Sequence, residues 1–131
     1  MKKEDLFLIA DEARANSYSP YSNISVGAAL LTKSGKIYTG ANIESASYTP
    51  TVCAERVAFF KAISDGEREF SAIAISGGKS ERPSEDAFYP CGVCLQVMSE
   101  FCFDDFEIIV KEKTGAVSYK FSEIFPKRFS L

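Results

Sequence analysis

The apolar patterns along this sequence predict an α/β fold in which one mixed sheet carries helices on both faces. Two observations lead there. Near the N-terminus, helical spacing gives way to two strand-length runs joined by a hairpin-sized turn. Further on, helix-length and strand-length segments alternate, as β-α-β crossovers require. The chain has 131 residues and no repeat, low-complexity tract or dividing linker, so residues 1–131 are expected to form a single domain.

Taken in order, Leu6, Ile9, Ala10 and Ala13 recur at helical spacing and predict an amphipathic helix over residues 3–15. Ser19-Pro20-Tyr21-Ser22 interrupts it. Val26 to Leu31 and Ile37 to Asn42 read as strands around Lys33-Ser34-Gly35-Lys36. A second helix is expected from Cys53 to Asp65, closed by Gly66. Ala72 to Ser76 is strand-like and runs into Gly77-Gly78, and charged residues Lys79 to Asp86 suggest a surface loop. Pro90 introduces a third helix, Cys91 to Phe103. Ile108 to Lys111 and Val117 to Lys120 complete the strands around Gly115, ahead of a short C-terminal helix or tail.

Composition removes several function classes. The net charge is −3, the pI is about 5.0, and Lys and Arg are scattered rather than striped, so a nucleic-acid partner is not expected. The apolar run Leu6 to Ala10 lies between Asp5 and Asp11, too short and too charged for a signal peptide, and no stretch suits a membrane. A cytoplasmic location is therefore expected, with the four cysteines as thiols. There is no histidine. Ser-His-Asp triads, Cys-His pairs and His-liganded zinc are excluded, which leaves acid–base chemistry to a carboxylate, thiol, tyrosine, lysine or metal-bound water.

Two short motifs carry the chemistry. In Pro90-Cys91-Gly92-Val93-Cys94, thiols at i and i+3 of a first helical turn can share one metal, although a lone CxxC also suits a redox pair or half of a structural zinc site. In Thr51-Val52-Cys53-Ala54-Glu55-Arg56, Cys53 and Glu55 differ by about 200° around a helix, yet both can reach an ion just beyond its start. Alone, Cys53 would read as core and Glu55 as a favourable N-terminal carboxylate.

Together, Cys-Ala-Glu and Pro-Cys-x-x-Cys resemble the zinc nucleoside deaminases. Pro20-Tyr21-Ser22, Val26-Gly27-Ala28-Ala29-Leu30, Asn42-Ile43-Glu44 and Cys53-Ala54-Glu55-Arg56 extend the likeness in order. With Pro90-Cys91-Gly92, Cys94 and Gln96-Val97, the set is similar to the small cytidine deaminases over most of the chain.

This resemblance implies a three-layer α/β/α sandwich around a mixed five-stranded sheet, usually assembled as a homotetramer with sites at subunit boundaries. It implies one Zn²⁺ per subunit on Cys53, Cys91 and Cys94, with Glu55 as proton shuttle. The substrate would be free cytidine or deoxycytidine, in pyrimidine salvage. Asn42 and Glu44 would hold the sugar; two apart at a strand end, they project to the same side. Ala54 and Tyr48 would border the substrate. Phe129 would reach a neighbouring subunit's base, whereas its spacing with Phe121 and Phe125 by itself reads as a docked helix or tail.

Arg56 is expected to stand behind the sulfurs, because three thiolates and Zn²⁺ sum to −1 and two helix N-termini offset only part of that. The pattern departs from the family at Ile24, where Phe is common, and at Leu95, where Arg is common. Glu44 separates the chain from blasticidin-type deaminases, which lack that carboxylate. Two other readings are a deaminase of another amino-heterocycle and a structural zinc domain. The second needs a fourth ligand, and Cys102 lies about 12 Å along the helix from Cys94, on an apolar face.

Overall fold

The computed structural model describes residues 1–131. Its elements are α1 (Lys3–Ala13), a 3₁₀ turn (Arg14–Asn16), β1 (Ile24–Thr32), β2 (Ile37–Ala41), α2 (Ala54–Ser64), β3 (Phe70–Lys79), α3 (Gly92–Phe101), β4 (Glu107–Glu112), β5 (Gly115–Lys120) and α4 (Phe121–Ile124). The strands form one sheet in the order β2-β1-β3-β4-β5. Only β3 and β4 are parallel neighbours; the other pairs are antiparallel.

Alternation along the strands divides the core into two layers. Ala28 and Leu30 of β1, Ile73 and Ile75 of β3, and Ile108 and Val110 of β4 face α2 and α3. Ala29, Ala72, Ala74 and Ile109 face Leu6, Phe7 and Ala10 of α1. The result is the expected three-layer arrangement of a mixed five-stranded sheet. The layer under α1 is built largely of alanine, so that helix sits close to the sheet. Its buried face is Leu6, Phe7, Ala10 and Ala13, with Ile9 only half-buried.

One boundary differs usefully from the sequence reading. β3 continues past Ser76 to Lys79, because Gly77, Gly78 and Lys79 pair with Val26, Ser25 and Ile24. Glycine disfavours a strand locally, but the β1 ladder supplies partners that local propensity does not register.

Topology sets the position of the site. β2 and β3 both run antiparallel to β1, so they point the same way. The helices that follow them, α2 and α3, therefore start at the same edge of the sheet, and both pack on the same face. Gly40 seats α2: a Cβ there would lie 2.3 Å from the carbonyl oxygen of Ala54, so β2 and the first turn of α2 approach backbone to backbone.

Candidate active site

Two helix starts meet at this edge, each with a cysteine at its N-cap. Cys53 (φ −72°, ψ 154°) and Cys91 (φ −72°, ψ 169°) are extended, and neither makes a side-chain capping hydrogen bond. Their sulfurs occupy the place of a capping oxygen, where the positive ends of two helix dipoles favour thiolate. Cys94 lies in the first turn of α3. Because Cys53 stands outside α2, the helical angle that would separate it from Glu55 does not apply, and both side chains line one cavity.

The sulfur geometry can be tested against zinc directly. Cys53 Sγ is 3.8 Å from Cys91 Sγ, which is 3.6 Å from Cys94 Sγ, and all three lie within 4.8 Å of one another. Tetrahedral zinc with Zn–S bonds of about 2.3 Å sets its sulfurs about 3.8 Å apart. Disulfides would bring the atoms to about 2 Å, and all four cysteines are free. Cys102 caps the far end of α3, buried in the core, where burial pushes its thiol up to about 12. The cluster fits one zinc ion per chain and leaves a coordination position open.

Electrostatics around the sulfurs are graded. The Cys94 thiol donates toward Cys53, and Arg56 Nη2 lies 3.5 Å from the same sulfur; against its own desolvation, Cys53 falls to about 5. Cys94 is pushed up by that hydrogen bond and by burial. A divalent cation among the sulfurs reverses this effect and ionises all three. Arg56 Nε is buried without a partner, which places this guanidinium behind the cluster rather than in a surface ion pair. Glu55, only 4% exposed, is pushed up to about 7, chiefly by desolvation, opposed by a hydrogen bond to its own backbone and reinforced by Cys53.

The cavity beside the sulfurs has a volume of about 250 Å³. Its walls are mostly apolar, including Ile24, Val26, Val52 and Ile75, with Ala54 fully buried at the helix start. Asn42 and Glu44 close the opposite end. β2 stops at Ala41, but Ile43 bridges Tyr18 and Val52, which keeps the segment extended and turns both polar side chains into the cavity. Asn42 Oδ1 accepts from Ser17 Oγ (2.6 Å) and the Val26 amide (2.9 Å), while Nδ2 donates to the Ile24 carbonyl (2.9 Å). Glu44 accepts from the Tyr21 and Ser22 amides at 3.0 and 3.1 Å and from the Ser22 hydroxyl. That hydroxyl is the main cause holding its carboxyl below the usual range.

Tyr48, Phe129 and Leu95 lie outside the lining of this cavity. Tyr48, 74% exposed with φ 63°, lines a smaller hollow beside the cavity together with Tyr21, Ser22, Glu44 and Thr51. Phe129 is 67% exposed and does not line this chain's cavity; its carbonyl accepts from Gln96 Nε2 at 3.2 Å. Leu95 is buried in the core, away from the cavity lining. The sequence reading named Ser22, the partner of Glu44, only within a motif and gave no role to it or to Phe88 and Tyr89, which line the cavity just before Pro90. Phe88 and Tyr89 adjoin Pro90-Cys91, and Ser22 closes Pro20-Tyr21-Ser22; those positions were the available signal. A wider hollow of about 450 Å³ near Arg14 and Arg82 contains no ligating cluster, and Arg14 there is bonded to Ser25, Asp11 and the Lys79 carbonyl.

Residues 1–110 match the family described as the cytidine and deoxycytidylate deaminase zinc-binding region. The chain is 44% identical over 131 residues to a cytidine deaminase of Halalkalibacterium halodurans, covering 99% of this chain and 96% of that one. It is 41% identical over 131 residues to the cytidine deaminase of Sporosarcina psychrophila, covering 99% and 93%. Among solved structures, the cytidine deaminase of Burkholderia pseudomallei superposes with a TM-score of 0.88 at 38% identity, covering 98% of this chain and all of that one. With a zinc-fitting sulfur cluster, this fold and these full-length relatives, the chain belongs to the cytidine and deoxycytidylate deaminase zinc-binding family.

Proposed function

We propose that this chain hydrolyses free cytidine and deoxycytidine to uridine and deoxyuridine, consuming one water and releasing one ammonia. The observation that carries this reading is the joining of a three-sulfur cluster, a buried carboxyl and a hydroxyl-binding pair around one cavity of nucleoside scale. Cys53, Cys91 and Cys94 would hold Zn²⁺, which when bound supplies water of lowered pKa as the nucleophile. Glu55 takes the proton from the attacking water and delivers protons to N3 and the leaving amine. Its carboxyl, near 7 through burial, suits both roles at neutral pH. Arg56 donates to Cys53 and balances sulfur charge.

Hydrogen-bond capacity supports the sugar assignment. Both lone pairs of Asn42 Oδ1 and one of its N–H groups are already used, leaving one donor. Glu44 accepts three bonds and has room for about one more. One donor and one acceptor complement a ribose hydroxyl, which favours a nucleoside over a sugarless amino-heterocycle.

The 131 residues act as one deaminase domain, in the cytoplasm and in pyrimidine salvage. The active unit is a homotetramer, in which the exposed rings of Tyr48 and Phe129 border a neighbour's site. Light scattering of the purified protein tests the assembly; a monomer with full activity would remove it. The reaction is tested by following ultraviolet absorbance and ammonia release from cytidine, with Glu55→Ala alongside. Stoichiometric uridine and ammonia from the wild type alone are expected. A zinc-loaded, folded protein that leaves cytidine intact would exclude this substrate.

A further inference from the structure

The cavity floor follows strand alternation. Ile24 and Val26 of β1 and Ile75 and Gly77 of β3 all point toward the α2–α3 side, continuing the rows of Ala28, Leu30 and Ile73. Val26 pairs with Gly77, and Ile24 pairs with Lys79 one step diagonally away. Gly77 is the bare position in this floor, and the Phe88 ring fills it. A Cβ on Gly77 would lie 2.5, 2.5 and 2.8 Å from Cδ2, Cγ and Cδ1 of Phe88. Near-equal distances to three ring atoms place the ring face-on over the glycine backbone. Only Phe88 and Tyr89 bring aromatic rings to the cavity. Tyr89 is tied to the rim: its hydroxyl donates to Glu112 at 2.6 Å, and its ring meets Tyr119 edge-on.

We propose that Phe88, laid flat on Gly77, is the stacking surface that selects a planar base in this cavity, and that aliphatic Ile24 leaves the room it needs. This rests on the nucleoside reading above. Ile24 and Phe88 share one stretch of floor, so a ring at either position faces the same ligand. Phe88 is half-buried and lines the cavity on one side and a hollow of about 200 Å³ beside Gly78 and Pro83 on another, so its ring is not closed over by the core. The ring thus forms an apolar wall for a heterocycle whose sugar is held by Asn42 and Glu44.

Steady-state cytidine kinetics, with zinc content and melting temperature measured on each variant, test the assignment. Phe88→Leu keeps apolar bulk without a π face and should raise KM roughly tenfold, with the loss on KM rather than kcat. Phe88→Tyr restores the ring and recovers affinity. Phe88→Ala should match or exceed the leucine variant, and adding Ile24→Phe should return most of the loss by supplying a ring from the diagonal position. If Phe88→Ala fails to fold, the leucine and tyrosine variants still decide. A wild-type KM in Phe88→Leu, or no recovery in either Phe88→Tyr or the double variant, would overturn the proposal while leaving cytidine deamination standing. No cytidine turnover by the wild type would overturn both.

Discussion

The two ends of the cavity are built on different principles. At the sulfur end, every group comes from the first turn of a helix or its cap: Cys53 and Glu55 on α2, Cys91 and Cys94 on α3. Helix dipoles and burial tune these groups, and their mutual placement follows from two parallel strands ending at one edge. At the hydroxyl end, Asn42 and Glu44 lie beyond a strand terminus and are oriented by hydrogen bonds from Ser17, Tyr21, Ser22 and Val26, far away in the chain. The groups at the sulfur end are thus locally encoded, whereas those at the other end depend on long-range partners. Damage at the first end should remove chemistry, and damage at the second should weaken affinity.

The sharpest way to break this contrast lies within the sulfur end. Cys94→Ala should lose both bound zinc and turnover, since two sulfurs remain. Glu55→Gln should keep zinc and lose roughly 10²–10⁴-fold in kcat, the usual scale of general acid–base catalysis. Metal analysis beside kinetics separates the two, and zinc loss from Glu55→Gln would show that the carboxyl supports the metal rather than the proton transfer.

Burial of Glu55 has a thermodynamic sign that can be measured in metal-free protein. Its folded-state pKa of about 7 exceeds the ordinary carboxyl value of 4.5, so the unfolded chain releases this proton first as pH rises. Stability is therefore unaffected by this group below the lower value and falls between the two, by up to about 3 kcal/mol. In urea titrations, Glu55→Gln should have little advantage at pH 4 and a clear one at pH 8. An equal difference at both values would place the carboxyl in a solvated setting.

Effects at the other end should be smaller and of another kind. Glu44→Gln removes a charged acceptor, and its KM for cytidine should rise roughly tenfold, the range of hydrogen bonds to charged groups, with zinc retained. A kcat loss of that size with unchanged KM would contradict the division drawn here. Back at the sulfur end, Arg56→Ala should weaken zinc retention roughly 10- to 100-fold in competition with a chelator, as removal of ligand-supporting contacts does. Unchanged zinc content would return Arg56 to a surface role.

How much of this was legible beforehand follows the same division. The order of elements was readable because helical and strand periods are local, and the cysteines and Glu55 were readable because their motifs are short. The extent of β3 was not, since its glycines take their strand conformation from β1. Leu95 illustrates a limit of motif comparison: where relatives commonly carry Arg, this side chain is simply buried in the core. Ser22 and Phe88 gave no periodic signal of their own. Their significance lies in contacts with Glu44, 22 residues along the chain, and with Gly77 on a separate element.

By itself, then, the sequence determined which groups are available: three thiols, one carboxyl beside them, no imidazole, and an element order that permits two helices to start together. Tertiary structure decided their states and neighbours. It brought sulfurs 38 residues apart to within 3.8 Å, and it buried Glu55 deeply enough to raise its pKa. It also saturated all but one donor of Asn42 and laid a phenyl ring on a glycine. The physical reason is range. Periodicity and capping act over a few residues, whereas desolvation and hydrogen-bond saturation depend on everything that packs around a group, from anywhere in the chain.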